Sequence, residues 1–230
     1  MTCADYRRAR TPDQKAERTS LLLQAAAALL NEGTPPALLS LADLATRAGM
    51  AKSNVYRYFE SREAILLAIL ADDAKAWAEA IITRLPDLPP ASPPDRLSAL
   101  LHRVTDETLA RPRLCVLLSV MPSVLEHNVS DATVLAFKQG MADMQGRLVA
   151  AVAHAIPELP PEAHATWLRH ATPLVVGGWP LAHPPDAVRR AVVGAGLGHV
   201  LHDLERDLRD ALQLIGAGVW GRWLGPGPRT

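Results

Sequence analysis

Apolar residues along this chain recur three and four positions apart, and no clean alternation of apolar and polar residues is found, so nearly every segment reads as amphipathic helix. Ala and Leu dominate the apolar set and β-branched runs are short, which favours helix again. Thr11-Pro12-Asp13-Gln14 opens the first helix: Thr11 stands as N-cap, Pro12 takes the first helical position and Gln14 completes a capping box. That helix is predicted to end near Asn31, before Gly33-Thr34-Pro35-Pro36. Ser40-Leu41-Ala42-Asp43 is a second capping box, opening a short helix to Ala48, with Gly49 placed where a left-handed backbone is needed. Another short helix is predicted over 52–59. Ser61 then caps a long one over 62–84, whose Ile65, Leu66, Ile69, Leu70, Trp77 and Ile81 fall mostly at helical spacing.

Five prolines within 85–95 mark a loop. Further helices are predicted over 95–110, 112–126, 130–156, 161–179 and about 198–223, with ends set by Pro112, Asn128, Pro157 and the Pro184-Pro185 pair. The expected fold is all-α, with about nine helices. Its domain boundary is expected near Ser61, dividing 1–61 from 62–230, with the long fourth helix joining the halves.

Composition supports a folded soluble protein, with 49% apolar and 21% charged residues over 230 positions, and leaves room for two domains. A mean hydropathy of +0.05 is high for such a chain, which suggests that some apolar surface covers an interface or lines a cavity. Residues 1–14 are polar and basic without an apolar signal core, and nowhere do about 18 apolar residues run together, so a cytoplasmic protein without a membrane partner is expected. Cys3 and Cys115 stand far apart and read as free thiols. Net charge is zero, but 1–62 holds nine Lys/Arg against six acids while the remainder is modestly acidic, as expected when one end meets phosphate.

Two short helices joined at Gly49 fit a helix-turn-helix, whose second helix offers its early side chains to the major groove. Lys52, Ser53, Asn54, Tyr56, Arg57 and Tyr58 gather cations, a hydroxyl, an amide and aromatics on that helix, while Val55 and Phe59, four apart, face inward. The stretch from Leu41 to Leu66, above all Val55-Tyr56-x-Tyr58-Phe59-x-Ser61-Arg62-Glu63, closely resembles the DNA-binding domain of the tetracycline-repressor (TetR) family; the resemblance covers about 14–70. It implies a homodimeric, all-helical transcription regulator, usually a repressor, released from a palindromic double-stranded DNA operator by a small ligand in a C-terminal ligand-binding and dimerisation domain. By the same resemblance Lys52, Ser53 and Asn54 face bases. Tyr56, Arg57 and Tyr58 contact backbone or neighbouring bases, and Ser40 and Arg62 hold phosphates. Arg7, Arg8 and Arg10 could enter the minor groove as an arm, although such tails are more often unstructured.

No catalytic motif stands in a fitting context, so no enzyme and no cofactor are expected. His199 and His202 share a face but lack a third ligand at a persuasive interval, so no metal is expected either. Leu201, Leu204, Leu208, Leu212, Ile215 and Val219 form an apolar stripe beside charged positions. The stripe could pack on its own subunit. In the resembled family, however, the last two long helices form a four-helix dimer interface, which makes Trp167, Val175, Leu201, Leu204, Leu208, Leu212 and Ile215 the candidate interface residues. Trp77, Met121, Phe137, Met141, Met144 and Trp179 are adaptable or large apolar groups that could line a cavity, with His102 as a polar partner; ordinary core packing explains each equally well. Glu126, His127 and Asn128 could also orient a ligand. Apolar walls would favour an unknown hydrophobic or aromatic effector. The alternatives are a regulator controlled by a partner protein and, in another class, a helical enzyme or carrier.

Overall fold

The computed structural model describes residues 12–224, so Cys3, the Thr11 cap and the arm arginines Arg7, Arg8 and Arg10 lie outside the described residues. The described residues form ten α-helices and no strand. The N-terminal set is α1 (Pro12–Asn31), α2 (Leu41–Arg47), α3 (Lys52–Val55) and the start of α4 (Arg62–Thr83). Local chemistry accounts for their ends. Ser40 Oγ accepts the Asp43 N–H at 3.2 Å while the Asp43 carboxylate accepts the Ser40 N–H at 3.2 Å, a reciprocal cap that starts α2. Gly49, at φ +63°, makes the turn into α3 in the left-handed region that residues with a Cβ avoid. Ser61 Oγ accepts the Ala64 N–H at 3.1 Å and starts α4.

Helix α3 is shorter than the expected 52–59. After Val55 the Arg57 and Tyr58 N–H groups bond three residues back, to Asn54 and Val55, because the chain must tighten and leave the helix to bring Ser61 into its extended cap conformation.

The rest of the chain comprises α5 (Pro93–Leu109), α6 (Pro112–Val120), α7 (Asp131–Ala155), α8 (Pro161–Ala182), α9 (Asp186–Gly194) and α10 (Leu204–Leu224). Three details depart from the pattern read in the sequence. The expected 112–126 helix ends as a π-helical turn, Met121–Leu125, because Pro122 has no N–H to continue the ladder. Helix α9, immediately after Pro184-Pro185, adds a tenth helix where nine were expected. Helix α10 starts at Leu204 rather than near 198, since the Asp203 carboxylate caps the Arg206 N–H at 3.1 Å and the glycines before it leave only a 3-10 turn, Gly198–Val200.

One apolar core runs the length of the described chain. At the N-terminal end it takes in Leu22, Leu39, Leu44 and Val55 together with Ile65, Leu66 and Ile69 of α4. Further along, the same core takes in Ala74 and Ala78 of α4 with Leu100, Leu117, Leu148 and Trp167. Trp167 Nε1 donates to His164 Nδ1 at 3.4 Å, and His164 Nε2 faces the Ile156 carbonyl at 3.3 Å, which fits a neutral imidazole protonated on Nε2. Burial pushes the His164 pKa down and keeps it neutral.

Two glycine replacements should move stability in opposite directions. Gly49→Ala must hold a side chain at positive φ and should cost about 1–2 kcal/mol. Gly140→Ala, at an exposed position of α7 with no atom within 4 Å of the new Cβ, should gain up to about 1 kcal/mol. Urea denaturation midpoints of the two variants check both signs.

Candidate nucleic-acid interface and internal cavity

Val55 is completely buried and Phe59 packs against the same core, so the inward side of the α3 segment is anchored. Its other positions face out: Lys52, Ser53, Tyr56 and Arg57 are exposed, with Tyr56 at 57%, while Asn54 and Tyr58 are half-buried. Tyr58 also packs on the core, so only part of its ring is available to DNA. Ser40 sits at the N-terminus of α2, where unpaired backbone N–H groups favour an anion, but its hydroxyl is already engaged with Asp43 at 2.6 Å. Arg62 is more firmly committed. Its Nη2 and Nε donate to Glu63 at 2.5 and 3.1 Å, and its Nη1 donates to the Ala37 carbonyl at 2.8 Å. Glu63 is itself buried, so the pair clasps the loop before α2 to the head of α4. An Arg47–Glu32 ion pair ties α2 back to the end of α1.

Two polar junctions connect the α1–α3 segment, the candidate DNA reader, to the remaining helices. Glu60 accepts the Ser130 N–H at 2.8 Å and its hydroxyl at 3.0 Å, so the residue before the α4 cap holds the cap of α7. The Ser130 backbone bond, reinforced by Thr133, holds the Glu60 carboxyl below its usual pKa. Arg113, at the start of α6, makes a two-pronged contact with Asp73 of α4 at 2.6 and 2.8 Å and donates to Asn31, the last residue of α1, at 3.1 Å.

Beyond those junctions lies a cavity of about 120 Å³ between α4, α5, α6, α7, α8 and α10. Its walls include Trp77, Leu114, Leu118, Met141, Met144, Leu168 and Val175, with Thr108, Gln145 and Thr172 as polar groups. Of the residues singled out as pocket candidates, Trp77, Met141 and Met144 line it. The other four stand elsewhere. His102 Nδ1 pairs with Gln213 at 3.3 Å between α5 and α10, and Met121 opens the π-helical turn. Phe137 borders an open groove with Tyr58 and Phe59, and Trp179 stacks on His183 at 3.9 Å near the end of α8. Cys115, one residue from Leu114, donates to the Thr108 carbonyl, and burial pushes its thiol up to about 12, which makes it inert at neutral pH.

The candidate interface residues divide in the same way. Trp167, Val175, Leu204, Leu208 and Leu212 are buried within the chain itself, and Val175, Leu208 and Leu212 reach the cavity wall; Leu201 and Ile215 are half-buried. Buried side chains offer a partner no surface. The positions left open are Pro173, Gly177 and Leu181 on α8, and Leu214, Ala217, Gly218 and Gly221 on α10, with Leu214 at 74% exposure. His202 pairs with Asp207 at 2.9 Å, and no group of three metal-ligating side chains occurs among the described residues.

An anchored short helix presenting cations, an amide and tyrosines after a glycine turn, joined through a shared helix to a second helical unit, defines a helix-turn-helix transcription regulator. The chain belongs to the TetR family: residues 22–69 match the pattern described as bacterial regulatory proteins, tetR family, and residues 71–222 match the tetracyclin repressor-like C-terminal domain. The first pattern runs into α4, in line with the continuous core there. Among solved structures, a TetR transcriptional regulator from Rhodococcus sp. RHA1 is similar with a TM-score of 0.52 at 22% identity, over 87% of this chain and 95% of that one. The fatty acid degradation regulator FadR from Bacillus halodurans has a TM-score of 0.52 at 13% identity, over 92% and 98%. Both share the fold. No curated protein sequence matches the chain. Family membership implies DNA binding and dimerisation. Among the described residues no single helix is long and apolar enough to cross a membrane.

The Glu60 junction has a defined pH response. Its carboxyl pKa is depressed, so the contact is complete above the ordinary value of 4.5 and is lost as pH falls through the lower folded value. The Ser130 amide resonance should therefore titrate with a midpoint below 4.5 in the wild type and lose that step in Glu60→Gln.

Proposed function

We propose that the protein is a homodimeric repressor that reads a palindromic operator with α2 and α3 and is released when a small hydrophobic or aromatic effector enters the cavity between α4 and α10. The observation that carries the reading is the α3 segment, which is fixed from beneath by Val55 yet exposes Lys52, Ser53, Tyr56 and Arg57. In this reading Lys52, Ser53 and Asn54 meet bases, and Tyr56, Arg57 and Tyr58 meet backbone or flanking bases. Phosphate binds at the α2 N-terminus beside Ser40. Arg62 contributes by clasping the reader to α4, since its guanidinium is held by Glu63 and Ala37.

Release requires that the effector bind the DNA-incompetent arrangement more tightly than the competent one. Helix α4 is the lever: Ala74 and Trp77 line the cavity, while Ile65, Leu66 and Ile69 sit in the reader's core. Arg113 strengthens the link, since Asp73 and Arg113 directly precede the wall residues Ala74 and Leu114 and Arg113 also reaches α1. A guest that parts α4 from α6 strains that contact, at a coupling of about 1–3 kcal/mol. The dimer is formed by the open strips of α8 and α10, and its two readers fall on half-sites about 34–36 Å apart.

Titration of operator and random duplexes tests the reader. Lys52→Ala and Asn54→Ala should each lose about 1–3 kcal/mol of discrimination, whereas Tyr58→Phe should weaken both duplexes about equally. Undiminished discrimination in both alanine variants contradicts the assignment.

Sedimentation tests the dimer face. Leu214→Glu should yield a monomer that keeps its helical content and unfolds at a midpoint independent of protein concentration, while Leu208→Glu, which buries a charge within the chain, should destabilise the fold itself. A fully dimeric Leu214→Glu protein contradicts the proposed face.

A further inference from the structure

None of the side chains lining the cavity carries a charge. The charges next in sequence to two wall residues, Asp73 beside Ala74 and Arg113 beside Leu114, are bonded to each other. A carboxylate or ammonium entering this space would lose its hydration and meet no counter-charge, a loss that a few apolar contacts do not offset. Size narrows the guest further. The space is about 120 Å³, and an apolar protein cavity of about 150 Å³ accepts benzene, so a single ring fills it. The indole of Trp77 and the thioethers of Met141 and Met144 favour an aromatic ring over a saturated one.

The polar groups in the wall are not equivalent. Trp77 Nε1 donates to Thr108 Oγ1 at 3.0 Å, and that hydroxyl donates to the Val104 carbonyl at 2.7 Å, so both are satisfied within the protein. The Thr172 hydroxyl lies 3.4 Å from the Leu168 carbonyl. Gln145, half-buried on α7, differs: its side-chain amide has no hydrogen-bond partner among the described residues. Neither amide atom is sealed from solvent, so in this largely apolar wall the amide is free to exchange water for a polar group on a guest.

We infer that the cavity takes an uncharged, single-ring aromatic molecule carrying one hydroxyl or carbonyl group, which Gln145 recognises by hydrogen bonding. The inference rests on the effector reading above and names the ligand class for that cavity.

Isothermal titration of the full chain at neutral pH with phenol, toluene, cyclohexanol and benzoate tests it. Phenol should bind, toluene and cyclohexanol should bind roughly fivefold to tenfold more weakly, and benzoate should give no binding heat. Gln145→Leu should remove the preference for phenol over toluene without moving the unfolding midpoint. Ala171→Leu, which fills the space, should abolish binding of both while the protein stays folded, and Leu118→Phe provides a second filling variant. The inference is overturned by absence of phenol binding, by benzoate or cyclohexanol binding as tightly as phenol, by a preference that survives Gln145→Leu, or by binding that survives both filling variants. Gln145-dependent phenol binding that leaves operator affinity unchanged supports the ligand class and overturns the effector reading instead.

Discussion

Helix α4 belongs to two packings at once, and the rest of the structure depends on that double burial. Its first turns close the reader, where Ile65, Leu66 and Ile69 meet Leu22, Leu44 and Val55; its later turns form a wall of the cavity with Ala74 and Trp77. Close-packed interiors do not deform continuously, so in the proposed switch a displacement of the second half would be transmitted to the first rather than absorbed between them. The Arg62–Glu63 pair at the head of α4 keeps the loop before α2 attached, so the reader follows the helix.

The polar junctions set the direction of that transmission. Glu60 fastens the reader to α7, and Arg113 fastens α6 to both α4 and α1. The Arg113–Asp73 pair is partly buried and two-pronged, so it fixes geometry more strictly than an exposed pair would. The Glu60 contact is at the surface and adds position more than stability. The proposed regulation needs only a modest bias between two arrangements, and contacts of this strength suit an equilibrium that an effector of the proposed kind can shift.

Much of the reader was legible in the sequence because its determinants are local. The Ser40–Asp43 cap, the Gly49 turn and the Ser61 cap each involve residues within three or four positions, and all three appear as read. The Pro122 turn was equally local. The cavity was legible only in part: Trp77, Met141 and Met144 line it, but Leu114, Thr108 and Gln145 join them through the crossing of α5, α6 and α7, which no spacing along the chain encodes. The stripe through Leu208 and Leu212 shows the same limit. An apolar face on a helix has the same period whether it meets its own chain or a partner, and here those residues turn inward. Arg62 was assigned by resemblance to phosphate, and only the fold reveals Glu63 and Ala37 around it.

The central claim is that the cavity-side contacts of α4 control where the two readers stand. Electron-spin distance measurement between labels on Ser53→Cys in the dimer, in a Cys3→Ser background with buried Cys115 left in place, tests it most directly. Replacing Arg113 by Met should shift or broaden the distance distribution between the two α3 segments. An Arg113→Met dimer whose distribution is identical to that of the parent protein would contradict the account.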